Sequence, residues 1–181
     1  MSIVLPRPGH QAIEVKPVTF PTDMRPKIRQ ARVDDVHAMS ALINQYAAAN
    51  VMLARGPQYL YQHIQDYLVV TIPEAETGAE VVIGCGSVHV HWADLAEIRS
   101  VAVHASCQSR GIGEQLVGAL VDRCRTLGLP RVFVFTLVDK FFNGCGFKPF
   151  DREDLPPAVW VECSKCPKFY RCDEICMLMS L

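Results

Sequence analysis

Three groups of residues in this chain have the types and spacing to do chemistry. The first is Gln108-Ser109-Arg110-Gly111-Ile112-Gly113. Apolar residues follow at Ile112, Leu116, Leu120, Cys124 and Leu127, the stripe of a helix. Two glycines at its entrance allow a sharp turn and a close approach of backbone to ligand. The first N–H groups of a helix lack internal partners and sit at the positive end of its dipole. Such a loop suits a pyrophosphate. It is neither GxxxxGK[ST] nor GxGxxG, and a glycine pair of this kind also serves as a plain helix cap.

The second group lies on the preceding stretch, Glu97 to Val103. Strand alternation puts Glu97, Arg99, Val101 and Val103 on one face, and Ser100 on the other, provided no bulge intervenes. A carboxylate there can take a proton directly or through a water, or can simply pair with Arg99. Arg99 can hold a substrate carboxylate in a bidentate contact.

The third group is cysteine. Of eight, Cys163, Cys166, Cys172 and Cys176 crowd into a C-x2-C-x5-C-x3-C run. That density suits structural Zn²⁺ or an iron–sulfur cluster. A redox pair or free thiols also fit, and Cys176 lies in an apolar run typical of core. Cys85, Cys107, Cys124 and Cys145 read as small buried hydrophobes. His89 and His91 share one face of a strand and read as half-exposed histidines, since a metal there would lack a third ligand.

These groups need positioning elements. Pro6, Pro8, Pro17, Pro21 and Pro26 oppose helix and sheet, so residues 1–26 read as an extended arm that a partner subunit can order, which leaves a homodimer open. Residues 27–181 read as one domain that includes the cysteine-rich segment 163–176. Within it, strands are expected at 27–31, 67–72, 80–92, 98–103, 131–137, 147–150 and 175–181. Helices are expected from Asp34 or Asp35 to about Ala49, at 58–66, from the end of the glycine loop to Leu127, and at 139–145. The strand at 131–137 follows a crossover helix and so runs parallel to its predecessor. The order β-α-α-β-β-β-α-β-α-β-β is that of a mixed α/β sheet domain.

Composition bounds the function. Eighteen basic and nineteen acidic residues leave a net charge of −1, which gives no support to nucleic-acid binding or an anionic membrane surface. No apolar run approaches the roughly 20 residues of a membrane helix. The N-terminus lacks the basic and apolar regions of a signal peptide. A cytoplasmic protein is expected.

Set after Val101-Ala102-Val103, the string Q-x-x-G-x-G resembles motif A of the GNAT acetyltransferases. The resemblance implies the GNAT fold, with a splayed parallel strand pair that binds acetyl-CoA. It assigns Val101 and Val103 to the pantetheine amides, and Arg110, Gly111, Ile112 and Gly113 to the pyrophosphate, with Gln108 and Ser109 beside them. It makes Glu97 the base or the holder of a catalytic water. Phe141-Phe142-Asn143-Gly144-Cys145-Gly146-Phe147 resembles a later family stretch in which a Tyr often protonates the leaving thiolate. Here that position is Phe142, which cannot.

Residues 28–39, 52–55, 95–104 and 131–136 further resemble the acetyltransferase domain of the N-acetylglutamate synthase family. This likeness runs from Lys27 to Phe150. It implies acetylation of the α-amine of glutamate, the first step of arginine synthesis, by a short stand-alone form. It gives Arg55 to the glutamate α-carboxylate, with Leu53 contributing backbone. The family carries an Arg and a Ser near the C-terminus for the second carboxylate. Here the region reads Cys172-Asp173-Glu174-Ile175, which repels a glutamate side chain unless Arg171 or Lys168 compensates. Transfer to another small amine or amino acid, and a non-catalytic acetyl-CoA-binding module, are the competing readings.

Overall fold

The computed structural model describes residues 25–74, 78–164, 166 and 168–181. The expected arm at 1–26 falls almost wholly outside the described residues. Among the described residues seven strands are present: β1 Lys27–Gln30, β2 Tyr67–Pro73, β3 Glu80–Trp92, β4 Leu95–Val103, β5 Arg131–Thr136, β6 Lys148–Pro149 and β7 Ile175–Ser180. They hydrogen-bond in the order β1-β2-β3-β4-β5-β7-β6. The helices are α1 Val36–Ala48, α2 Pro57–Gln62, α3 Ile112–Thr126, α4 Asp139–Gly144 and α5 Trp160–Cys163. The expected helix at 58–66 ends at Gln62 and continues as a 3-10 turn at Ile64–Asp66. The short α5 had no counterpart in the pattern.

β1–β2, β2–β3, β5–β7 and β6–β7 are antiparallel. β4 and β5 are parallel, as expected of strands joined through the crossover helix α3. Their ladder is two register pairs long, Ala96 with Val132 and Glu97 with Phe133.

Contacts divide the chain into two compact units. One comprises residues 1–87 and 100–120, the other 88–99 and 121–181. The first has a core of Val36, Met39, Leu42, Ile43 and Tyr46 from α1 with Leu60, Tyr67, Val69, Cys85 and Ala102. The i, i+3, i+4 spacing on α1 gathers its apolar side chains on one stripe. Within the same unit α3 lies close upon β3. A Cβ at Gly86 would stand 2.8 Å from Leu120 Cδ1, so a side chain there would push the helix off. In the second unit Leu95, Phe133, Leu155, Val159 and Cys176 form the core. Leu127, the last of the predicted stripe, is 55 % exposed because the helix ends one residue earlier.

Candidate active site

In the first unit, the glycine loop has the backbone of an anion nest. Ser109 and Gly111 both adopt left-handed conformations, with φ 61° and 75°. Alternating handedness turns successive N–H groups inward. The first helical bond of α3 runs from Gln115 N–H to the Gly111 carbonyl, 3.1 Å. The amides of residues 111–114 therefore precede the ladder, as the reading of residues 110–113 requires. Gly111 has room for a methyl, with only Gln115 Nε2 near at 3.8 Å. Its need for glycine is conformational.

The Gln108 side chain is committed within the protein. Its Nε2 donates to Tyr46 Oη at 2.8 Å and to the Val103 carbonyl at 3.1 Å. Tyr46 Oη donates to that same carbonyl. Both lone pairs of the Val103 carbonyl are thus engaged within the protein. Burial pushes the Tyr46 hydroxyl up to about 12, so it stays a donor.

Ser100 interrupts β4. Its φ of 53° is left-handed, a conformation that a non-glycine residue adopts at a cost. Beyond it the alternation is out of phase. Ser100 Oγ accepts from Tyr67 Oη at 3.3 Å, and Ala102 joins the α1 core. Val101 instead approaches Gly86, beside Leu116 and Leu120. The single face expected for Glu97, Arg99, Val101 and Val103 is corrected accordingly: the bulge breaks it after Arg99.

Leu53 and Arg55 lie in the loop between α1 and α2. The Arg55 guanidinium stacks over the Tyr59 ring at 4.1 Å, and Tyr59 stacks in turn on His63 at 4.4 Å. One flat face of the guanidinium is used in this way, and its edge is the part that suits a carboxylate.

The second unit holds a buried ionic cluster. Glu97 is 8 % exposed and Arg99 9 %. Arg99 Nε and Nη2 contact Glu97 Oε2 at 2.7 and 2.6 Å. Its Nη1 donates to Glu162 Oε2 at 3.0 Å. His91 Nε2 meets Glu97 Oε2 at 2.8 Å and approaches Arg99 Nη2 at 3.1 Å. One ring nitrogen cannot both donate to the carboxylate and accept from the guanidinium. The shorter, charge-assisted contact assigns its proton to Glu97. Burial pushes the Glu97 carboxyl up, but donation from His91 and the charge and N–H groups of Arg99 outweigh it. Glu97 is held below the usual carboxylate range.

Glu97 and Glu162, two carboxylates of the chain itself, both claim Arg99. Glu162, on α5, carries no sequence signal that would join it to Glu97. His91 does have one: a two-residue turn at Ala93-Asp94 folds β3 back onto β4. Phe142 is 4 % exposed and packs edge-on against Phe141 and Phe147 at 5.0 and 5.5 Å. It belongs to apolar packing and offers no proton.

The cysteine run does not converge as a zinc site. All four thiols are free. Among the described residues, no three of their sulfurs lie within 4.8 Å of one another. Cys176 sits on β7 opposite Phe135 and is buried in the core. Cys172 Sγ lies 3.9 Å from Glu174 Oε2, and Lys168 N donates to Cys166 Sγ at 3.4 Å. Burial, and then the negative charge of Glu97, push the Cys163 thiol up to about 11, the reverse of what a metal thiolate needs. Burial and Glu97 also raise the Glu174 carboxyl. Lys168 stands 4.0 Å from Asp173, so it offsets one charge of the acidic pair.

Residues 37–147 match the Acetyltransferase (GNAT) family. An uncharacterized N-acetyltransferase of Chlorobaculum tepidum is 36% identical over 154 residues, 85% of this chain and 96% of that protein. An amino-acid acetyltransferase of Mycobacterium tuberculosis is 37% identical over 142 residues, 78% of this chain and 79% of that protein. Among solved structures, Rv2747 from M. tuberculosis, in complex with CoA, superposes with a TM-score of 0.72 at 32% identity, covering 86% of this chain and 99% of that one.

Proposed function

The chain belongs to the GNAT acetyltransferase family, and on that footing we propose that it transfers the acetyl group of acetyl-CoA to the α-amine of a free amino acid, glutamate first. The observation that carries this reading is the anion-nest backbone at 109–113 in the first unit; within the second unit, the buried carboxylate of Glu97 is held ionised. The nest supplies N–H groups for the cofactor diphosphate. Val101 supplies main-chain partners for the pantetheine.

The acceptor amine arrives as an ammonium and must lose a proton before it attacks the thioester carbonyl. Glu97 is too well solvated by its donors to be a strong base. It serves by orienting a water or the amine and by accepting the proton in transit. Attack of the amine forms the C–N bond and a tetrahedral oxyanion, and collapse of that oxyanion re-forms the carbonyl, breaks the C–S bond and releases the CoA thiolate. An alkyl thiolate with a pKa of about 8–9 is protonated from solvent at neutral pH, which makes the absence of a tyrosine at Phe142 tolerable.

The acceptor side of the proposal rests on Arg55 and on the amino-acid acetyltransferase relative. The half-buried Glu174 and its neighbour Asp173 favour a second reading, an amino acid whose side chain is neutral or cationic. Transfer of isotopically labelled acetyl groups to a panel of free amino acids tests both readings. Glutamate as the best acceptor supports the first. A preference for glutamine or a basic amino acid selects the second. No transfer to any amine ends the enzyme reading.

A further inference from the structure

Ser40 and Asn44 stand one turn apart on α1, amid buried Met39, Leu42, Ile43 and Tyr46. Serine and asparagine are indifferent helix formers, and polar groups on a buried flank need partners. Here the partner is the main chain of a single residue. Asn44 Oδ1 accepts from Arg55 N–H at 3.1 Å, and Asn44 Nδ2 donates to the Arg55 carbonyl at 3.2 Å. Ser40 Oγ donates to that carbonyl at 3.0 Å and accepts from Asn44 Nδ2 at 3.2 Å. One amide side chain thus meets both polar groups of Arg55, as a neighbouring strand would. The loop at 53–56 has no regular secondary structure of its own.

Arg55 is therefore fixed twice. α1 holds its backbone, and Tyr59 on α2 holds its guanidinium at 4.1 Å. We infer that Ser40 and Asn44 are positioning residues for the acceptor amino acid, setting its affinity by fixing the Arg55 backbone. The inference rests on the proposed role of Arg55 as the carboxylate holder. A bidentate guanidinium–carboxylate contact demands orientation as well as charge. A main chain already in place removes the ordering cost from each binding event. Loosening it weakens acceptor binding without touching the cofactor or the proton acceptor.

The test combines steady-state kinetics on the best free amino-acid acceptor with amide hydrogen exchange. In Asn44→Ala we expect the acceptor KM to rise about ten-fold, with the acetyl-CoA KM and kcat within about two-fold. The Arg55 amide should lose protection in the same variant. Ser40→Ala should give a smaller rise, and Ser40→Thr, which keeps the hydroxyl, should restore the parent value. If Asn44→Ala does not fold, the Ser40 pair carries the test by the same readouts. Unchanged Arg55 protection together with an unchanged acceptor KM overturns the inference. Arg55→Gln separates it from the reading beneath it. An acceptor KM that rises in Arg55→Gln but not in Asn44→Ala sinks the positioning role alone. An acceptor KM unmoved by Arg55→Gln sinks both.

Discussion

The two ends of β4 are held by opposite kinds of force. At its start, Glu97 and Arg99 sit in a buried cluster with His91 and Glu162, where charge does most of the holding. At its end, the Val103 carbonyl is held by neutral donors, Tyr46 Oη and Gln108 Nε2. Charges in low dielectric are strong when complete and costly when broken. Neutral hydrogen bonds contribute about 1 kcal/mol net and fail gently. The start of the strand has to keep a carboxylate ionised. The end has only to keep its backbone in place.

The largest effect should come from removing the cation. Arg99→Gln leaves Glu97 and Glu162 without their shared partner, and a broken buried pair costs about 3–5 kcal/mol. Urea unfolding should show that loss. The carboxyl of Glu97 should also titrate higher, since its cation is gone. A loss no greater than that of an exposed surface pair would show that charge does not hold this end.

Next is Glu97→Gln. It keeps the shape and removes the proton acceptor, so kcat should fall about 100–1,000-fold. Calorimetric binding of CoA should be unchanged, since the nest at 109–113 is untouched. Loss of CoA binding together with kcat would mean that Glu97 supports the fold rather than the chemistry.

Much of this contrast was visible in the residues, and some of it was not. The nest was legible because Gly111 needs a left-handed backbone that glycine supplies. Ser109 and Ser100 adopt the same region without glycine, so nothing in their identity announced the turn or the break in β4. The pairing of Glu97 with Arg99 followed from alternation. Glu162 did not, because only tertiary structure brings it near. β3 shows how pattern misleads. Val90 and Trp92 are 48 % and 70 % exposed, while the opposite face turns His91 toward Glu97 and Phe133. Hydrophobicity alone would have buried the other side. The cysteine run had ligand-like spacing, but strand register commits Cys176 to the core.

pH should separate the two ends. Glu97 titrates below its ordinary 4.5 in the folded chain. Its contribution is complete above that value and is lost as pH falls through the depressed folded one. Asp35, bound by Arg29 at 2.7 and 2.9 Å, is also lowered and adds to the same acid limb. Unfolding free energy should therefore fall below pH 4.5, and less steeply in Glu97→Gln. An identical acid limb in the variant would assign the loss to Asp35 and Glu80, the other carboxylates held low, both by Arg29.

The smallest effect belongs to the other end. Tyr46→Phe removes one donor from the Val103 carbonyl, and Gln108 Nε2 still reaches it at 3.1 Å. The carbonyl is never orphaned, so the cost should be about 1 kcal/mol. Its pH signature is the mirror image. The Tyr46 hydroxyl rises from 10.0 to about 12 because burial disfavours the phenolate. Its contribution is complete below 10.0 and is lost as pH climbs through the raised folded value. Tyr67 is raised to about 12 as well, so the variant should flatten the alkaline limb only in part. The acid limb should not move. Were Tyr46→Phe to alter acid unfolding as strongly as Glu97→Gln does, the two ends of β4 would be one coupled network, and the division between charged and neutral holding would fail.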